Sequence, residues 1–373
     1  MRSTPEMVTA EARIAQDQAL AGLVSWTVWI PALAATMAYP IAVNLFVDSY
    51  HAAKVGSAAW SLSAIAALAV ACAVPLLALR GLNAIRLATT YQAIAVRRLL
   101  HLAVAVPPLY LLSGRVSGLL SPLFGKAASA PILWWGIWLA LAVLVWIGGP
   151  GRAGSEPRPA QTAGDGSQQR SMALSSVRVR NIHRTAVIAI VVTFLVMHLA
   201  NHLVALWSVS WQRATMLALR SWYRAVWMEP VILGLFVVAA LSGLVRLARL
   251  TRSASDGFRV LQTASAAYLA CFLVSHLWAT LGARYRGIDS DWAFATGGKA
   301  GLLASGWSMA VLIYYAFALL AVAVHVGLGL RMLLLFNHVQ PAAANRAARL
   351  TVVASSLISI LIVAALVGVR LGR

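Results

Sequence analysis

Apolar residues gather along this chain in nine blocks, at about 24–47, 58–80, 95–114, 131–149, 183–208, 228–248, 259–283, 308–335 and 350–371. At about 1.5 Å of rise per residue, a helix over each block crosses the roughly 30 Å hydrocarbon core of a bilayer. Hydrocarbon offers nothing to backbone N–H and C=O groups, so such blocks must be helical. The pattern predicts an all-α, polytopic transmembrane bundle of about nine spans. The opening segment MRSTPEMVTAEARIAQDQALAG is polar with mixed charge and predicts a short surface helix, not a cleaved signal peptide. Between the fourth and fifth blocks lies GGPGRAGSEPRPAQTAGDGSQQRSMALSS (148–176), rich in Gly, Pro, Ser and Gln. It predicts a flexible cytoplasmic linker, at 150–178, between a four-helix module (1–149) and a five-helix domain (179–373).

Composition agrees with this pattern. Hydrophobic residues make up 61% of the chain and charged residues 11%, with a mean hydropathy of +0.80; soluble domains carry about 25% charged residues. A net charge of +20 suggests nucleic acid in a soluble protein. Here the arginines lie between apolar blocks, where they meet anionic headgroups and set topology, and no nucleic-acid partner is implied. Of the 30 Lys and Arg, 19 fall on the N-terminal side of the predicted spans and 11 on the other. The N-terminus is therefore expected in the cytoplasm and the C-terminus outside, in an inner or plasma membrane. Cys72 and Cys271 fall within predicted spans and argue against both disulfides and a cysteine metal site.

The two halves look related. VRRLLHLAVAVPPLYLLSG (96–114) lies 162 residues before FRVLQTASAAYLACFLVSH, and LWWGIWLALAVLVWIG (133–148) resembles IYYAFALLAVAVHVGL (313–328). This alignment sets Ala38, Gly114 and Val145 against His198, His276 and His325, so the first half reads as a copy without deep histidines. Its His101, near the start of a span, reads as interfacial.

The ten acidic residues fall in tails, in loops or, for Glu229, in the first turn of a helix. The carboxylate relay of an ion pump is absent. The deep ionisable groups are histidines instead: His198, His202, His276 and His325. A neutral imidazole in hydrocarbon needs a partner, either a cross-helix hydrogen bond or a metal, above all haem iron. The fifth and seventh spans run the same way. His198 lies near the middle of its span and His276 about 6 Å beyond the middle of its own. The two could clamp one haem iron from opposite faces, with His202, one turn beyond His198, as an alternative ligand. His325, on an antiparallel span, lies about 6 Å towards the cytoplasm. A partner for it would be expected on the sixth span, and PVILGLFVVAALSGLVRL holds no histidine.

At these residues the chain resembles a known family. Residues 180–371 look like the five-helix, dihaem cytochrome b membrane anchor of succinate dehydrogenases and fumarate reductases (succinate:quinone oxidoreductases). RNIHRTAVIAIVVTFLVMHLANHL resembles the first family helix, EPVILGLFVVAALSGLVRL the second, FRVLQTASAAYLACFLVSHLWAT the third and SGWSMAVLIYYAFALLAVAVHVGLGL the fourth. The resemblance implies His198 and His276 as axial ligands of a distal haem b, and His325 as one ligand of a proximal haem. The second proximal ligand belongs about four residues before Gly243, where Ala239 stands; this departure leaves that haem without its usual pair. Arg180, His183 and Arg184, near the cytoplasmic start of the domain, are then contacts for haem propionates, quinone or a partner subunit. Flavoprotein and iron–sulfur subunits on the cytoplasmic side and membrane quinone are the implied partners. Succinate or fumarate chemistry would belong to those subunits, since the chain has no flavin, nucleotide or iron–sulfur motif. Residues 1–150 match nothing in that family.

The expected function is thus that of a b-type cytochrome passing electrons between quinone and a soluble partner, with at least one bis-histidine haem. A free-standing cytochrome carrying electrons across the bilayer, a haemless sensor domain and a transporter are the rivals, in that order. Reporter fusions should place the N-terminus in the cytoplasm and the C-terminus outside; the opposite result would overturn the charge-bias argument.

Overall fold

The computed structural model describes residues 27–53, 58–125, 129–147, 166–296, 302 and 306–371. The predicted N-terminal surface helix and the first part of the predicted linker lie outside them. The described residues are helical, without strands: α1 Ile30–Ala53, α2 Ala58–Ala84, α3 Tyr91–Val104, α4 Val106–Phe124, α5 Ala130–Ile147, α6 Gly166–Ile190, α7 Val196–Val204, α8 Val209–Tyr223, α9 Met228–Leu250, α10 Gly257–Tyr285, α11 Trp292–Thr296, α12 Gly306–Phe336 and α13 Pro341–Val367. Among the described residues, eight helices are long and apolar enough to cross a membrane, and nine spans result if α3 and α4 are one broken span.

Three boundaries differ from the sequence reading, each for a local reason. The third span breaks at Ala105, where Pro107 and Pro108 restart the helix, and α3 and α4 meet at 76°. A proline early in a helix lacks only an N–H that has no helical acceptor there, so a new helix starts readily at such a site. The second part of the predicted linker is the beginning of α6, which starts at Gly166; Gln, Arg, Met, Ala and Leu in QQRSMALSS favour helix despite the polar look. Asp48, expected just beyond the first span, lies within α1 on an exposed face.

The two halves share one core. Buried residues of α1 to α5 (among them Tyr39, Ala71, Leu100 and Trp134) pack in a cluster with Val260, Ala264 and Tyr268 of α10 and Ile313 and Ala318 of α12. Indole N–H groups tie α5 to α1: Trp134 donates to the Thr36 carbonyl and Trp135 to the Met37 carbonyl, both at 2.9 Å. His101 is buried, not interfacial. Its Nδ1 meets the Arg97 carbonyl at 2.7 Å and its Nε2 meets Thr263 Oγ1 on α10 at 3.0 Å. His101 and Thr263 are aligned positions in the two halves, 162 residues apart.

Arg97 fastens one edge of this core. Its guanidinium, 4% exposed, donates to the carbonyls of Thr251 and Ser253 after α9 and of Ile85, Arg86 and Ala88 after α2, at 2.6–3.4 Å. Carbonyls at a helix C-terminus lack helical donors and carry partial negative charge, so a guanidinium answers both needs. Arg97→Met should lower stability by about 2–4 kcal/mol, because it strands these carbonyls. Thermal unfolding in detergent reads this; an unchanged midpoint would show that water replaces the guanidinium.

Candidate functional site

Five helices and two lids enclose an apolar cavity of ≈ 390 Å³. It opens between α6, α7, α9, α10 and α12, with α8 and α11 at one end, here called the outer end. Along α6 and α7 it runs from His183 to His202, a rise of about 28 Å, close to the thickness of the hydrocarbon core. Most of its wall is aliphatic or phenylalanine: Val187, Ile190, Leu195, Ile232, Phe236, Leu269 and Leu273 belong to it. The five histidines His183, His198, His202, His276 and His325 all line it.

A π-helical turn, Val191–Leu195, separates α6 from α7. Such a turn accommodates an extra residue and so rotates the helix beyond it by about one residue's 100°. His183, Phe194 and His198 all line the cavity wall across this turn.

At the outer end, the ring centroids of His198 and His276 are 6.3 Å apart. Each ring is stacked on a phenylalanine one turn earlier: Phe194 on His198 at 4.9 Å and Phe272 on His276 at 5.2 Å. His202 stands edge-on to His198 at 4.8 Å and beside Trp292 at 6.0 Å, and its Nδ1 is buried without a protein hydrogen bond. The structure thus brings together the three outer histidines picked out by depth, with His198 facing His276.

Nearer the other end of the cavity is a second pair. His325 faces His183, with centroids 6.3 Å apart and rings at 89°. The sequence reading sets His183 with Arg180 and Arg184 at the edge of the domain; the structure turns it inward. Its Nδ1 donates to the Ala239 carbonyl at 3.1 Å and lies 3.2 Å from Ser242 Oγ. A carbonyl can only accept, so the proton sits on Nδ1 and the Nε2 lone pair is free. His325 is held in a similar way, with Nδ1 3.4 Å from Ser265 Oγ. Gly243 makes room for the His183 ring, since a Cβ there would lie 3.1 Å from His183 Cε1. Gly327 lets α12 press on α13, where a Cβ would meet Val352 at 2.6 Å. Arg180 and Arg184 sit over the Phe336 ring at 5.6 and 4.9 Å.

Both separations have a simple chemical meaning. Two imidazoles bound in trans to one metal, with bonds of about 2 Å, place their ring centroids about 6 Å apart. A backbone or hydroxyl partner on Nδ1 is the usual way to aim Nε2 at a metal. Among the described residues no three or more His, Cys, Asp or Glu are grouped to hold a metal ion by themselves. Pairs such as these suit an ion that brings its own equatorial ligands, as haem iron does.

The outer end carries the residues that sequence reasoning missed, because they lie on segments read as loops. α8 is capped by Ser208, whose hydroxyl accepts from the Ser210 and Trp211 amides, and it turns Gln212 and Met216 inward. Trp211, Leu217 and Trp222 face outward, as on a helix lying in the membrane interface. Arg220 pairs with Asp289 at 2.8 Å and donates to the Ser290 carbonyl at 3.1 Å. Glu229 is held by both Nη atoms of Arg284. Arg224 donates to Ser290 Oγ at 3.0 Å, and burial, with Arg220 and Arg284 close by, lowers its pKa from the ordinary value. Five buried atoms around this end have no protein hydrogen bond: Asn201 Oδ1, His202 Nδ1, Gln212 Oε1, Arg220 Nε and Trp292 Nε1. Left so, each costs about 1–3 kcal/mol.

Compared with known proteins, the chain matches no family model, no curated protein sequence and no solved structure.

Proposed function

We propose that this protein is a membrane b-type cytochrome that moves electrons between membrane quinone and a soluble redox partner. Its C-terminal helices would hold two bis-histidine haems: an outer one on His198 and His276 and an inner one on His183 and His325. The observation that carries this reading is the repetition of one motif: two facing imidazole pairs, each with centroids 6.3 Å apart, at two depths of one apolar cavity. In the family that residues 180–371 resemble, the partner of His325 belongs at Ala239. Here His183 comes from the neighbouring helix and sits against the Ala239 carbonyl, so its ring occupies the region a histidine at that position would reach.

A haem held by the two imidazoles of each pair would supply one-electron chemistry at iron, with no ligand position left open for oxygen. The chain's own work is placement. Phe194 and Phe272 fix the outer rings by stacking; Ala239, Ser242 and Ser265 fix the inner rings by hydrogen bonds. The apolar wall keeps water from the metal and favours the less charged, reduced form. Ser265, beside His325, and His276 lie eleven residues apart on α10, so the two sites are about 16 Å apart along the membrane normal. That spacing supports passage of electrons across the bilayer. Arg180 and Arg184 of α6, with Arg249 and Arg252 at and just after the end of α9, would provide a positive face for an acidic flavoprotein or iron–sulfur partner of the succinate or fumarate type.

The reduced-minus-oxidised absorption spectrum of detergent-purified protein should show low-spin b-type haem at two per chain. His183→Ala and His325→Ala should each remove the inner haem, and His198→Ala and His276→Ala the outer one; His202→Ala should leave both. No haem after supplementation during expression would sink the proposal. Gly243→Val should likewise remove the inner haem alone, because its side chain displaces the His183 ring. Equal loss of both haems in that variant would mean that Gly243 serves general packing.

A further inference from the structure

Three arginines on and just after α8 are spaced to act together. Arg220 and Arg224 follow Arg213 by seven and eleven residues, about two and three turns, so all three share one side of the helix. That side meets the segment between α10 and α11. Arg213 pairs with Asp291 at 3.7 Å and Arg220 with Asp289 at 2.8 Å. Arg220 also donates to the Ser290 carbonyl at 3.1 Å, and Arg224 donates to Ser290 Oγ at 3.0 Å. Three guanidinium groups thus clasp three consecutive residues. Apolar packing does not reinforce the clasp. Of α8, the apolar clusters among the described residues take in Val209 alone, and Tyr223 meets the Phe194 ring edge-on at 5.6 Å. The helix is therefore held by apolar contact near its two ends and by polar contact along its middle.

The seam between the two elements lies over the cavity, lined by Gln212 and Met216 from α8 and by Trp292 and Phe294 from α11. Closing it removes water from Gln212 Oε1, Arg220 Nε and Trp292 Nε1 without giving any of them a protein partner. That penalty is relieved when water enters the seam. The clasp is itself within reach of water, since the Arg213 side chain is 62% exposed and that of Asp289 47%. Water and salt compete for such pairs. Opening therefore exchanges polar contacts for hydration and leaves the apolar clusters of the core intact. We infer that α8 is a latched lid, pivoting on the turns at 205–208 and 224–227 and held shut by Arg213, Arg220 and Arg224 on Asp289, Ser290 and Asp291. Its opening admits a lipophilic molecule from the membrane interface to the outer histidines. Trp211, Leu217 and Trp222, on its outward side, keep it at that interface. Such a lid serves the cavity whichever molecule fills it, so it does not rest on the cytochrome reading.

Met216, 5% exposed on the cavity side of α8, reports on the opening. The full chain is placed in lipid nanodiscs, which leave both faces accessible, with Cys72→Ser and Cys271→Ser removing the native thiols. A thiol introduced by Met216→Cys then reacts with a sulfonated maleimide only while the lid is open, and its labelling rate is followed by mass. Asp289→Asn together with Asp291→Asn should raise that rate about tenfold, because each carboxylate loses its charge towards an arginine. Raising NaCl to about 1 M, where screening acts within about 3 Å, should raise it with the clasp residues unaltered. Gln212→Cys, on the same side of α8, should report the same changes and stands in if Met216→Cys folds poorly. A control keeps Cys72, packed against the shared core, as its single thiol; its rate should respond to neither treatment. A reporter rate that ignores both the substitutions and the salt would overturn the latch. Equal acceleration at the reporter and at Cys72 would overturn it too, by showing that the whole fold loosens and not the lid.

Discussion

A polar group inside hydrocarbon must find its partner within the protein or in something the protein holds. This constraint makes the spans helical, and it also sorts their polar side chains into two kinds. Arg97 and His101 are of the first kind. The guanidinium meets five carbonyls at two helix ends, and the imidazole is tied at both nitrogens, to the Arg97 carbonyl and to Thr263. Their work is structural, and they join the halves of the molecule. The histidines of the cavity are less fully tied to the protein. His183 and His325 are held at Nδ1 alone, and His198 and His276 are held by aromatic stacking. Each such ring keeps a nitrogen outside the hydrogen bonds described above.

The rest of the architecture serves that distinction. One core runs from the N-terminal helices into α10 and α12, so two of the cavity walls are braced from behind. The opposite wall, α9, is mostly exposed to lipid on its outer face and presents small residues, Ala239, Ser242 and Gly243, to the His183 ring. The outer end needs different materials, because it lies where lipid gives way to water. There α8 rests with its tryptophans outward, and the arginine–carboxylate pairs of Arg213, Arg220 and Arg284 pin α8, α9, α10 and the segment around Asp289 and Asp291 together. Pairs at such a boundary are partly shielded from water and hold geometry better than fully solvated ones.

Nine apolar blocks and a charge bias are one-dimensional facts, and hydrocarbon thickness converts them directly into spans and depths. His198 and His276 can be matched on that ground alone, since depth is residue count times rise. His183 cannot be read this way. The composition of 166–176 resembles linker, which puts His183 at the edge of its domain, whereas α6 begins at Gly166 and carries it seventeen residues into a helix. Gln212, Arg220 and Trp292 are hidden for a related reason: α8 and α11 are too short or too polar to mark themselves as part of a bundle.

The class of molecule, the matched positions of His198 and His276 and the scarcity of deep carboxylates are therefore legible in the order of residues, because all three depend on the bilayer acting as a uniform solvent. Which ring faces which is settled in three dimensions. Facing depends on the rotation of each helix about its axis, and that rotation is set by neighbours: the π turn at Val191–Leu195, the gap at Gly243 and the close approach of α12 to α13 at Gly327. The contacts at the two glycines join residues far apart in the chain, and no periodicity along it records them.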